Sequence, residues 1–303
     1  MMIINMVKAL FAIKKIPYFP EHVTLDQKHI SDHDIGADFP INPTAYQMLK
    51  EIDGKKDEQE IAAALSGVFR ISEDVLLKDL HELLSGLNQR YLINWKYGDG
   101  PSFQGFLHQF FGQYHIRYRE RFSSRSDSFL FLYIKFLQII SRKIIVFWLI
   151  FLMLSLAAFL AFPDGSIIGI AVYFSVIYFG LITGTALHEV VHGMAHRKLA
   201  GKHGAPGYLA ADMMSVKFIR PVISPFDKKM IWITALGPLV PGILGLAGVL
   251  FTIFFLQENA VSVGMLLFFS TFALHMIYLL PFMGDGKSIM KQLMIRGMGG
   301  KSS

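Results

Sequence analysis

Residues 167–196 read IIGIAVYFSVIYFGLITGTALHEVVHGMAH: twenty-one uncharged residues, then two histidines four apart with a glutamate directly after the first. The uncharged part is long enough to cross a hydrocarbon core, which takes about 20 residues of helix. Composition agrees, because 53% of the 303 residues are hydrophobic and only 17% are charged. That is too apolar for an ordinary soluble enzyme and points to an integral membrane protein. The apolar residues are unevenly spread. Residues 20–100 hold many charges and turn formers, whereas 129–281 are dominated by Phe, Leu, Ile and Val. The expected fold is a mainly α, polytopic membrane protein of about four transmembrane helices, with a small N-terminal α/β domain in front.

Outward from 167–187, three more stretches are long enough to span: 144–162, 231–256 and 261–281. FLFLYIKFLQII at 129–140 is too short, carries Lys135, and reads as a separate interfacial helix or a re-entrant one. Basic residues precede the first span (Arg117, Arg119, Arg121, Arg125, Lys135, Arg142, Lys143) and populate the 197–230 loop. PDGS at 163–166 and QENA at 257–260 contain none. The bias of Lys and Arg toward the cytoplasmic side places both termini and the 197–230 loop in the cytoplasm of a multi-pass cell-membrane protein. The net charge of +6 is therefore read as membrane-flanking charge rather than a nucleic-acid footprint. At the start, MMIINMVKALFAIKKIPYF is interrupted by Lys8 and lacks a small-residue cleavage site, so it is read as a retained interfacial segment.

With no cysteine in the chain, any metal must be held by His and carboxylates. His188 and His192 lie one helical turn apart and project from one face, while Glu189 points about 100° away. That arrangement supplies two ligands and a general base near a water, as HExxH hydrolases require. His196 is excluded as third ligand, because eight residues of unbroken helix rise about 12 Å. Only a break at Gly193 would rescue it. The span parity instead brings Asp285, in YLLPFMGDGKSIM, to the same membrane level as the two histidines. Pro281, Gly284 and Gly286 allow the bend that would turn it inward. Two His and one carboxylate leave a fourth position open for water. His275, within the fourth span, reads either as a cleft-lining group or as a packed histidine bonded to a neighbouring helix. His203 reads as exposed, and His108 and His115 as interfacial.

HEVVH at the end of one span, ALGPLVPG at 235–242, and Pro-x-x-x-Asp-Gly after a later span resemble the site-2 protease family of intramembrane zinc metalloproteases. The resemblance covers about residues 140–295. It implies Zn2+ on His188, His192 and Asp285, with Glu189 activating water. The family's asparagine before the second-motif proline is missing, since Tyr278, Leu279 and Leu280 precede Pro281. The asparagine that often follows Gly-Pro is Pro241 here.

The N-terminal part reads differently. YFPEHVTLDQKHISDHDIGADFP, from residue 18, is turn-broken and partly alternating, as in a ribbon of about three strands. Asn42-Pro43 starts a helix, DEQEIAAALSGVF forms a second, and Ser72 caps a third with Val75, Leu76, Leu80, Leu83, Leu84 and Leu87 on its apolar side. YLINW, from residue 91, closes the domain as a strand. Periodicity alone supports a winged-helix-like α/β domain. The element order and INPTAYQMLKEIDGKKDEQEIAAALS resemble the PqqD-like family of precursor-peptide recognition domains. That resemblance implies capture of a leader peptide as an added strand, in a groove between the edge near Asp34–Phe39 and the helix 72–88. DNA binding is disfavoured because the last helix is acidic.

The expected layout is an apolar, basic segment 1–17, a peptide-recognition domain 18–97, a basic and aromatic linker 98–143, a membrane metalloprotease domain 144–290 and a basic tail 291–303. Together the two resemblances imply a membrane zinc metallopeptidase that removes the leader of a ribosomally made, modified peptide. Its partners would be a leader-bearing peptide, the lipid bilayer, a peptide-modifying enzyme and an exporter, with no nucleic acid. Cleavage of a single-span regulator and non-catalytic peptide binding or immunity are the competing expectations.

Overall fold

The computed structural model describes residues 14–98, 103–123, 128–200, 205–213, 215–221 and 228–299. The chain divides into two compact units: Met1–Arg125 with Ala205–Pro221, and Ser126–Gly204 with Val222–Ser303.

In the first unit, β2 (Val23–Leu25), β3 (His29–Asp32) and β4 (Ala37–Pro40) form an antiparallel ribbon in which Val23 opposes Asp32 and His29 opposes Pro40. Three helices follow, each started by a local signal. Asn42 accepts the Ala45 N–H at 2.7 Å and begins α1 (Pro43–Lys50). Asp57 and Glu60 form a reciprocal capping box on α2 (Glu58–Phe69), satisfying two otherwise orphaned donors. Ser72 occupies the cap position of α3 (Glu73–Gln89), yet its side chain makes no capping bond, a correction to the expected role. Ile30, Leu49, Ile61, Leu80, Leu84, Leu92 and Ile93 are fully enclosed between ribbon and helices. Each contributes about 1.5–3 kcal/mol of burial.

Two strand expectations change. The closing strand is β5 (Asn94–Tyr97) rather than residues 91–95, because Tyr91 sits at φ 60, in the left-handed region that no strand accommodates. Its partner is β1 (Lys15–Tyr18), antiparallel with Lys15 opposite Tyr97, so residues 15–17 are sheet and not interfacial segment. Beyond the ribbon and helices, α4 (Phe103–Gly112) leads to β6 (Arg119–Phe122). β6 pairs antiparallel with β7 (Tyr208–Asp212), which pairs with β8 (Val216–Ile219). The Pro- and Gly-punctuated loop after residue 197 therefore returns to the N-terminal unit as a hairpin.

A buried ion cluster joins β6 to the ribbon. Arg121 donates to both Asp32 oxygens at 2.6 and 2.7 Å and to Asp34 at 2.6 Å. Its guanidinium stacks 3.9 Å over the Tyr208 ring of β7. All three charged residues are at most 3% exposed. Burial alone pulls the Arg121 pKa down, but hydrogen bonds and charges from Asp32 and Asp34 outweigh it and hold the group above its ordinary range. Asp34 was expected on an open ribbon edge; it lies inside this cluster instead, which leaves β4 as the outer strand of that edge.

The second unit is helical and contains four segments long and apolar enough to cross a membrane. The first is a correction. α5 (Phe129–Ala161) is one continuous 33-residue helix, not an interfacial helix followed by a span. Ser141-Arg142-Lys143 contains neither Gly nor Pro to stop it, and Lys143 is buried within the unit. α6 (Gly165–Ala200) and α7 (Lys228–Phe255) follow. The fourth segment, Ala260–Ile295, comprises α8 (Ala260–Ala273), a 3-10 turn (Leu274–Leu279) and most of α9 (Gly284–Gly299). The expected basic tail after 290 thus continues as helix to residue 299.

Candidate metal centre

α6 carries His188, Glu189 and His192 and runs unbroken through Gly193. His188 and His192 therefore share one face, 5% and 4% exposed, with ring centroids 4.7 Å apart. Asp285 reaches them from the first turn of α9. His188 Nε2 stands 3.0 Å from one Asp285 oxygen and 3.1 Å from His192 Nε2, and the other Asp285 oxygen is 3.4 Å from His192 Nε2.

A bend brings the carboxylate there. Leu280 is extended (φ −64, ψ 142), as a residue before proline prefers, and Pro281 cannot continue the helical ladder. The chain then re-enters helix at Gly284. Gly286 packs so tightly on the Leu279 and Leu280 carbonyls that a Cβ at this position would overlap both. The turn over which Asp285 is presented thus requires glycine.

His192 is fixed from behind. Its Nδ1–H donates to the Ile233 carbonyl at 2.8 Å, which leaves the Nε2 lone pair facing His188 and Asp285. Gly237, one turn along α7 from Ile233, lies against the same imidazole; a Cβ there would occupy the ring. Neither the Ile233 carbonyl nor Gly237 was foreseen as a site feature. The legible trace was the Gly-Pro pair inside an otherwise apolar stretch.

The donor set could hold a metal ion. One atom from each of His188, His192 and Asp285 lies within 4.8 Å of the others. Ligands at about 2.1 Å around a tetrahedral ion stand about 3.4 Å from each other, close to the separations seen. The set is two imidazoles and a carboxylate, with no thiolate anywhere in the chain. Glu189 sits beside it, its carboxylate 3.9 Å from His188 Nε2 and its side chain 14% exposed. His196 is fully buried on the same helix but does not join the group.

His275 is buried and bonds back to the end of α8, through Nδ1 to the carbonyls of Thr271 (3.1 Å) and Phe272 (3.2 Å). Its ring lies 5.5 Å from that of His188, and Tyr278 lies 5.3 Å from it. The wall of the centre is therefore aromatic on this side. His203 lies outside the described residues.

Residues 21–93 match the family model described as Coenzyme PQQ synthesis protein D (PqqD). The match covers the ribbon, α1 to α3 and the approach to β5, and stops short of β6 and all four apolar segments. No curated protein and no solved structure matches the chain.

Proposed function

We propose that the chain is a membrane-embedded zinc metallopeptidase that removes the leader of a ribosomally made, modified peptide. One observation carries the reading: two helical imidazoles and a carboxylate from ninety-three residues downstream converge, with the Glu189 carboxylate at their side. Zinc, when bound, supplies the Lewis acidity that activates water and polarises a scissile carbonyl. His188, His192 and Asp285 would hold it, and the Ile233 carbonyl keeps His192 in the tautomer that can ligate.

Glu189 serves as general base and then general acid. It takes a proton from the attacking water and returns it to the leaving amine, a role worth about 10²–10⁴-fold in rate. Bilayer-buried carboxylates and imidazoles are costly unless paired or functional, which favours a working site over an incidental cluster. The PqqD-like match at 21–93 supports peptide recognition by the N-terminal part, with chemistry assigned to residues 144–290. Lys and Arg placement supports a cell-membrane protein with both termini in the cytoplasm. A modifying enzyme and an exporter are its expected partners.

The test is Glu189→Gln, co-expressed with a precursor peptide encoded beside the gene. Near-stoichiometric zinc by elemental analysis, together with loss of cleavage, is the expected result. Continued processing by the variant would overturn the mechanism, and wild-type protein purified without zinc would overturn the metal assignment.

A further inference from the structure

The N-terminal unit contains a concavity made mostly from elements outside the 21–93 match. It is a cavity of about 160 Å³ between the outer face of α3, strands β1 and β5, and the α4–β6 connection. Lys15, Arg117 and Arg119 line it, with His81 at the rim and Trp95 and Tyr97 as aromatic walls. Among the described residues, no carboxylate forms an ion pair with any of the three cations. Two of them are held another way: Lys15 Nζ lies 3.7 Å over the Trp95 ring, and Arg119 donates to the Tyr118 carbonyl at 2.8 Å. The acid in the wall, Glu120, is buried and engaged by the Tyr118 hydroxyl. Glu58, which acts on Lys15 through its charge, is bonded to His81 at 3.0 Å.

Burial depresses the Lys15 pKa first of all; Glu58 pulls it back up and the Arg117 charge pushes it down again. Two like charges thus face one partly enclosed space. An anion entering it offsets their mutual repulsion and the desolvation of Lys15.

We propose that this cavity binds a carboxylate group, carried on an acidic peptide side chain or a small free acid. Size and charge select that class. A space of roughly 150 Å³ takes a group about as large as benzene, enough for a carboxylate with its methylenes and too little for a nucleotide. With three cations set against Glu120, the wall has a net surplus of two positive charges, which suits one or two carboxylates. The indole and phenol walls take up the methylenes.

The site is independent of the metal centre and is tested without catalysis. Full-length protein in detergent, carrying Trp148→Phe and Trp232→Phe, leaves Trp95 as the sole tryptophan. Its fluorescence is titrated with Ac-Ala-Glu-Ala-NH2, Ac-Ala-Gln-Ala-NH2, glutarate and inorganic phosphate. A saturable change with the glutamate peptide or glutarate, and none with the glutamine peptide, supports the assignment. The tighter of the two carboxylates identifies whether the source is a peptide or a free acid. Lys15→Met and Arg117→Gln should each weaken binding at least tenfold. Arg117 is exposed, so its variant keeps the fold, and unchanged far-UV circular dichroism verifies this. Equal responses to glutamate and glutamine peptides, tighter binding of phosphate, or indifference to Arg117→Gln would each overturn it.

Discussion

Both ring nitrogens of His192 are committed, Nδ1 to the Ile233 carbonyl and Nε2 to the centre, while Gly237 closes on the ring itself. Gly237→Ala should therefore displace the imidazole and weaken metal binding about 10–100-fold, the usual cost of disturbing a ligand's outer support. Competition with a chromophoric chelator measures it; unchanged affinity would remove Gly237 from the site. Sequence spacing was enough to find His188, Glu189 and His192, because a four-residue interval on a helix has one geometric meaning. It could not find Gly237, since a glycine before proline in an apolar helix reads equally as kink or packing, and its partner lies forty-five residues upstream. Asp53 offers a pH test in the other unit. The Lys56 and Lys55 backbone N–H groups, at 2.9 and 2.8 Å, hold its carboxyl below the ordinary carboxylate value. A lowered folded-state pKa stabilises above the unfolded value and loses that contribution as pH falls through the folded one. Wild type should unfold at higher guanidinium concentration than Asp53→Ala at pH 7, and that contribution to the gap should fade below about pH 4.

At the level of elements, hydropathy located the four apolar segments well but misplaced one boundary. Lys135, Arg142 and Lys143 looked like an interruption, yet α5 carries all three without a break. Local charge sets where a helix end is cheap, not where the hydrogen-bond ladder must stop. The β6–β7–β8 sheet was illegible for another reason: its first two strands are separated by about ninety residues that include two apolar segments. Nothing local in RERF marks it as the mate of YLAAD. The buried Arg121 cluster holds this sheet to the ribbon, and Arg121→Met would leave Asp32 and Asp34 enclosed without a counter-charge. We expect a loss of about 3–5 kcal/mol, read as a lower denaturant midpoint of the N-terminal unit. Adding Asp32→Asn and Asp34→Asn to that variant should recover more than half of the loss. If the triple variant is no better than the single one, charge burial is not what Arg121 relieves.

For the whole molecule, the division into units does not follow chain order. Residues 205–221 lie between α6 and α7 in sequence but belong to the N-terminal unit. A protein ending at residue 125 therefore lacks the strands that pair with β6 and the Tyr208 ring under Arg121. It should be digested at least tenfold faster by a dilute protease than the same unit in the full chain, with new cuts near β6. Equal resistance would show that the hairpin adds no stability.

The hairpin's place in the chain also sets a schedule. The ribbon and its three helices can assemble once about a hundred residues have left the ribosome. The sheet around Arg121 must wait until synthesis passes residue 219, when α5 and the HEVVH helix have already been made. Completion of the N-terminal unit is thus tied to production of two apolar segments. A chain stalled or cut before the hairpin carries the PqqD-like part but never the finished unit.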